Sequence, residues 1–230
     1  MTNQKRRSEV QEDVARLYLR LNGFFTTGFI PHSPVRGKVL TEVDALGLRM
    51  PFSSEVEREI VADPVLGISP GITDFVIAEV KSHGKQIQFN SALTSSEQAC
   101  RSILCWSGLF SKEKIDAAVA ALYEHLQSDL PKECPLTIET PEHVRIRCLL
   151  FSLETLTRRS NQAFFLTGPE VFGYVHACLR PAVERTDCAT IYDYNQWREF
   201  ADIVRYFKRC DASDPPCIAG LYASLGIGRQ

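Results

Sequence analysis

Thr73-Asp74-Phe75-Val76-Ile77-Ala78-Glu79-Val80-Lys81 is the stretch on which the fold turns. Its unbroken apolar run, Phe75 to Ala78, predicts a central strand buried on both faces. A strand buried on both faces needs helices above and below its sheet. The run ends in Glu79-Val80-Lys81, and strand alternation puts Glu79 and Lys81 on one face. Charges at the end of an apolar strand require water, a partner or a metal.

Upstream, Val39 to Leu48 predicts a second strand, with Asp44 in its middle, where aspartate has poor β propensity. Phe24 to Ile30 predicts a short first strand, followed by a turn through Pro31, Pro34 and Arg36-Gly37. Before it, Val10, Val14, Leu17 and Leu21 recur at helical spacing over Ser8 to Asn22, and Gly23 stops the helix. Glu12 borders the apolar arc of that helix on one side and Asp13 on the other, so angular position leaves both open. Residues Arg49 to Gly71 interrupt the pattern as an insert between the second and third strands. Pro51, Pro64 and Pro70 punctuate it, and Ser54-Glu55-Val56-Glu57 fits a capping box for a short helix.

Downstream, one helix is predicted from Ser95, with Gln98 closing a capping box, to Gly108. A second starts at Ser111 and carries Ile115, Ala118, Val119, Leu122 and Leu126 on one face. Pro131 and Pro135 bound a linker. Val144 to Ser152 reads as a strand with Val144, Ile146, Cys148 and Leu150 on one face, and Ala163 to Leu166 as another. Thr167-Gly168-Pro169-Glu170 opens a helix that Pro181 ends, and a last helix starts near Asp193. This order predicts one α/β domain over residues 1–230, a small mixed sheet between helices. Its core covers about 8–167, with a C-terminal helical extension over about 168–230.

Composition narrows the function classes. The chain has 230 residues, 26 Lys plus Arg against 28 Asp plus Glu, and a formal net charge of -2. That balance excludes a highly basic protein that coats nucleic acid, and an acidic disordered tail. No apolar run approaches the ~20 residues of a membrane span, so no membrane association is expected. The basic Lys5-Arg6-Arg7 start is not followed by an apolar stretch, so no secretory signal is expected. The eight cysteines form no CxxC pair and no zinc-type Cys/His spacing, which suits a reduced, cytoplasmic protein.

If the second and third strands are neighbours, Asp44, Glu79 and Lys81 converge. Two carboxylates and a lysine suit a hard divalent cation beside a reacting phosphate. Glu12-Asp13-x-Ala15-x-x-Tyr18-Leu19-x-x-x-Gly23-Phe24, then Thr41-Glu42-Val43-Asp44, then Ala78-Glu79-Val80-Lys81, resemble the PD-(D/E)XK nuclease superfamily. The closest likeness is to its Holliday-junction-resolvase-like and Mrr-like branches, and it covers roughly residues 8–90. The resemblance implies a restriction-endonuclease-like core and metal-dependent hydrolysis of phosphodiester bonds in DNA, with Mg²⁺ or Mn²⁺ as cofactor. It implies that Asp44 and Glu79 are metal ligands together with the Val80 carbonyl. Lys81 then positions or activates water, and Glu12 completes the acidic site; Glu42 matches a recurrent acidic position.

Arg36 and Lys38 are the best candidates for phosphate contacts, because their loop leads into the Asp44 strand; His83 and Lys85 are further candidates. A homodimer would suit double-strand cleavage. The alternative expectation is an inactive nuclease-fold protein that binds nucleic acid or a protein partner. The departure from the family pattern is the 49–71 insert, which bears on substrate access.

Overall fold

The computed structural model describes residues 6–33, 35–54, 59–81, 87–180, 194–211 and 213–228. Helix α1 (Arg7–Leu21) leads into strands β1 (Phe25–Phe29), β2 (Val43–Arg49) and β3 (Thr73–Val80). Helices α2 (Ser91–Thr94), α3 (Glu97–Ser107) and α4 (Ile115–Gln127) follow. Next come β4 (Leu136–Glu139), β5 (Val144–Ser152) and β6 (Leu166–Thr167), then α5 (Gly168–Leu179), α6 (Ala201–Arg209) and α7 (Ile218–Ser224).

The six strands form one mixed sheet in the order β1-β2-β3-β5-β4, with β6 beside the end of β5. β1, β2 and β3 run antiparallel in turn, and β3 pairs in parallel with β5. A parallel pair needs a crossover, and α2, α3 and α4 supply it. Helices cover both faces. Val10, Val14 and Leu17 of α1 pack with Val171 and Phe172 of α5, Val204 of α6 and Leu221 of α7, against Val76 and Ala78. On the other face Ile103 of α3 and Val119 of α4 pack against Phe75 and Ile77. The chain is therefore α/β, a mixed six-stranded sheet flanked by helices.

Several expectations shift on the structure. Strand β5 is buried along its whole length, not on one face only. The cap of α3 is Ser96, whose hydroxyl accepts from the Ala99 N–H, one residue later than Ser95. β4 begins directly after Pro135, where the sequence suggests only a linker: four residues with one buried apolar pair, Leu136 and Ile138, give almost no periodic signal. A 3-10 segment, Tyr194–Phe200, occupies the first part of the predicted last helix, and α7 follows unforeseen. The expected helix after Ser54 falls on residues 55–58, outside the described residues.

The insert leaves β2 at Arg49 and returns to β3 at Thr73. Those strand ends lie at the opposite end of the sheet from Asp44 and Glu79. The insert is tied down there. The Gly67 carbonyl accepts from Arg145 Nη1 at 2.8 Å and Arg147 Nη2 at 3.2 Å, and Asp63 accepts from the Tyr18 hydroxyl at 2.8 Å. Its described part is thus anchored at the end of the sheet away from Asp44 and Glu79.

Candidate functional site

Antiparallel pairing sets the start of β2 against the end of β3, and α1 packs over both strands. Asp44, Glu79, Lys81 and Glu12 thus come from three elements to one end of the sheet. The backbone explains how an aspartate is accommodated in β2. Thr27 pairs with Leu46 but Phe29 pairs with Val43, so two steps along β1 match three along β2. Asp44 and Ala45 share the space opposite Gly28 as a β-bulge. Accordingly Val43 packs in one core cluster and Ala45 in the other, although they are two residues apart. A bulge re-aims a side chain, and here Asp44 Oδ2 accepts the Val80 N–H at 2.7 Å, a group that faces β2.

Glu79 is 1% exposed. Its Oε2 accepts from Lys81 Nζ at 2.6 Å and from the Asn90 N–H at 2.7 Å. Its Oε1 is buried and has no hydrogen-bond partner among the described residues. A buried charged acceptor left unmet costs about 1–3 kcal/mol or more, so this oxygen calls for water or a cation. Lys81 keeps 28% of its side chain exposed, which leaves its ammonium a route to solvent.

Charge at this end is predominantly negative. Glu12 is raised from 4.5 to about 7, first by burial and then by Asp44, Glu42 and Asp13, with Arg16 opposing. Burial likewise raises Asp44, against the pull of the Val80 N–H and Lys81. Burial raises Glu79 too, offset by Lys81 and Asn90 and reinforced by Asp44. Asp44 is therefore felt by both Glu12 and Glu79. Asp13 is buried and bridged to Arg16, whereas half-buried Glu12 faces Asp44, which separates the two residues left open by helical geometry.

The raised Glu12 has a thermodynamic consequence. Between about pH 4.5 and about pH 7 the folded chain keeps a proton that the unfolded chain has released. Stability from this group therefore falls as pH rises through that window. Glu12→Gln is expected to match the parent near pH 4 and to exceed it in melting temperature near pH 8. Parallel curves across the whole range would refute this assignment.

Val80 contributes its N–H to Asp44. Arg36 and Lys38 are exposed in the β1–β2 connection, at the same end of the sheet as Asp44. His83 and Lys85 lie outside the described residues. Among the described residues no group of three or more His, Cys, Asp or Glu could hold a metal ion, and Cys100, Cys105, Cys134, Cys148, Cys210 and Cys217 are free thiols. Among the described residues no helix is long and apolar enough to cross a membrane.

Sequence reasoning missed two polar clusters. Gln11, fully buried on α1, donates to the Tyr222 hydroxyl at 2.7 Å, which donates to Glu154 Oε1 at 3.0 Å, tying α7 to the sheet. Asp74, Arg145 and Arg147 form a buried ion cluster at the far end. Arginines alternating with Val144, Ile146 and Cys148 were the available signal for it.

Fold and site together define an α/β protein with an acidic and lysine cluster at one end of a mixed sheet. No protein-family model matches the chain, and no curated protein or solved structure does.

Proposed function

We propose that this chain is a divalent-metal-dependent nuclease of the PD-(D/E)XK kind, hydrolysing phosphodiester bonds in DNA. One observation carries the reading: the buried, unpartnered Oε1 of Glu79, on a carboxylate held by Lys81 and neighboured by Asp44. The run of one helix, three antiparallel strands and a parallel crossover supports a restriction-endonuclease-like core.

The donor set fits a hard cation. Mg²⁺ is commonly bound through one or two carboxylates, with waters completing its shell. Asp44, Glu79 and the Val80 carbonyl would hold Mg²⁺ or Mn²⁺. When bound there, the ion polarises a phosphoryl oxygen and lowers the pKa of bound water. Lys81 orients the attacking water and offsets developing negative charge. Glu12, raised to about 7 by burial and by Asp44, would complete the acidic site, directly or through a water. Arg36 and Lys38 hold backbone phosphates by charge, which makes binding salt-dependent and largely blind to sequence.

Purified protein is expected to nick or cut DNA in Mg²⁺ or Mn²⁺ and to stop when the ion is chelated. DNA left intact under both metals, across single strands, duplexes and junctions, overturns the reading. A second reading, a nuclease fold that binds nucleic acid or a protein without cutting, has its own support. Glu79 Oε2 and Asp44 Oδ2 already have protein partners, and no three-ligand group stands among the described residues. Calorimetry separates the two, because only the enzyme requires divalent-metal binding that disappears in Asp44→Ala and Glu79→Ala.

A further inference from the structure

A second feature lies at the opposite end of the sheet, away from Asp44 and Glu79. There a pocket of about 630 Å³ is lined by Arg20, Phe25, Thr26, Arg49, Ser54 and Glu199, among others. Arg49 is its unusual member. Its Nη2 donates to the Ser53 carbonyl at 2.6 Å, but Nε and Nη1 are buried with no hydrogen-bond partner among the described residues. Buried guanidinium N–H groups are rarely left unmet, because each forfeits its hydration. Gly23, at φ +85°, lets the guanidinium lie close. A Cβ there would sit 3.2 Å from Arg49 Nε.

Among the described residues the charge around Arg49 is not balanced. It pairs in register with Asp74, which also carries Arg147 at 3.0 Å and Arg145 at 3.9 Å. Glu139 compensates Arg145 at 2.8 Å. Three guanidiniums thus meet two carboxylates, and Arg49 is the one facing the pocket. Arg20 brings a further cation to its wall, with its guanidinium over the rings of Trp197 at 4.9 Å and Phe200 at 5.7 Å. Glu199 also lines the pocket but already has an interaction within the protein. Phe25, 71% exposed, offers a bare aromatic face at the mouth.

We propose that this pocket binds a phosphate monoester, with the phosphate held by Arg49 and Arg20 and the organic part lying on Phe25. A phosphate monoester carries about -1.5 to -2 charge near pH 7, which matches two guanidiniums. Guanidinium forks suit its oxygens in bidentate geometry. A planar organic group such as a nucleobase would gain stacking on Phe25. The same chemistry is offered by a free mononucleotide and by the 5′-phosphorylated end of a nucleic acid strand.

The test is calorimetry on the full chain in chelator-treated buffer, so that the candidate metal site does not contribute. Inorganic phosphate, a nucleoside 5′-monophosphate and a short 5′-phosphorylated oligonucleotide are titrated separately. The monophosphate is expected to bind more tightly than inorganic phosphate, and Phe25→Ala to remove that difference. Arg20→Ala, at an exposed side chain, is expected to weaken binding about tenfold, and Arg49→Gln to abolish it. If the oligonucleotide binds and the free nucleotide does not, the strand end is the ligand; the converse assigns the free nucleotide. No binding by any of the three overturns the proposal, and so does binding that Arg20→Ala and Arg49→Gln leave unchanged. Loss of nuclease activity elsewhere on the molecule would not affect these titrations.

Discussion

On the proposed nuclease reading, Lys81→Ala is expected to lower metal-dependent DNA cleavage by about 10²–10⁴-fold while the protein remains folded, the range typical of a positioned proton-transfer or charge-stabilising group. The size follows from where the ammonium sits. It contacts Glu79 at 2.6 Å and retains access to solvent, so it stands between a buried carboxylate and any substrate phosphate. Removing it takes positive charge from a site whose other members, Glu12, Asp44 and Glu79, are all acidic. Glu79 then loses the partner that offsets its burial, and its pKa rises further. A purely structural role would predict lost metal binding and a lowered melting temperature together. The mechanism predicts that Mg²⁺ binding survives, because an added cation substitutes for the missing ammonium beside Glu79, while turnover is lost. Parent-level cleavage by Lys81→Ala would sink the mechanism.

The sequence carried the centre of this arrangement better than its edges. Phe75 to Ala78 read as a doubly buried strand, and alternation placed Glu79 with Lys81, as the structure finds them. Asp44 was noticeable because it was ill-suited to a strand, yet its geometry was not legible. A β-bulge depends on pairing between β1 and β2, and no local pattern announces which residue is the extra one. The partners of Glu79 show the same limit. Asn90 reaches it through a backbone N–H eleven residues on, and any residue but proline supplies that group. β4 and α7 went unseen because short elements gain their stability from packing rather than from propensity.

The insert shows how long-range charge decides what sequence position cannot. In sequence it lies between the two strands that carry Asp44 and Glu79, next to the acidic residues. Antiparallel topology sends it to the other end, where Arg145 and Arg147 hold the Gly67 carbonyl. The two ends of β3 therefore carry opposite kinds of polar cluster. One has excess carboxylate with Lys81 beside it; the other has excess guanidinium, with Asp74 and Arg147 sealed in the interior and Arg49 lining the pocket.

That sealed cluster carries the largest stability effect expected outside the hydrophobic core. Arg147→Ala should destabilise the fold by about 3–5 kcal/mol in urea unfolding, the usual cost of stripping one partner from a buried ion pair. Arg147 is 4% exposed and Asp74 is fully buried, with Nε 3.0 Å from Oδ1. Burial raises the Asp74 pKa and lowers that of Arg147, so for each group desolvation outweighs the attraction of its partner. The pair is therefore a poor source of net stability but costly to break. Asp74 Oδ2 already lacks a partner, and the variant leaves Oδ1 only the more distant Arg145. Two further measurements follow from the same balance. Burial raises the Asp74 pKa and Arg147 opposes that, so in Arg147→Ala it rises further, and acidification, which neutralises the buried carboxyl, should recover part of the lost stability. Replacing both partners with apolar residues, Asp74→Leu with Arg147→Met, should cost less than Arg147→Ala alone, because the Asp74 carboxylate is no longer left buried without Arg147. A double variant as unstable as the sum of its two single variants would mean that the pair is not energetically coupled, and the account of this cluster would fail.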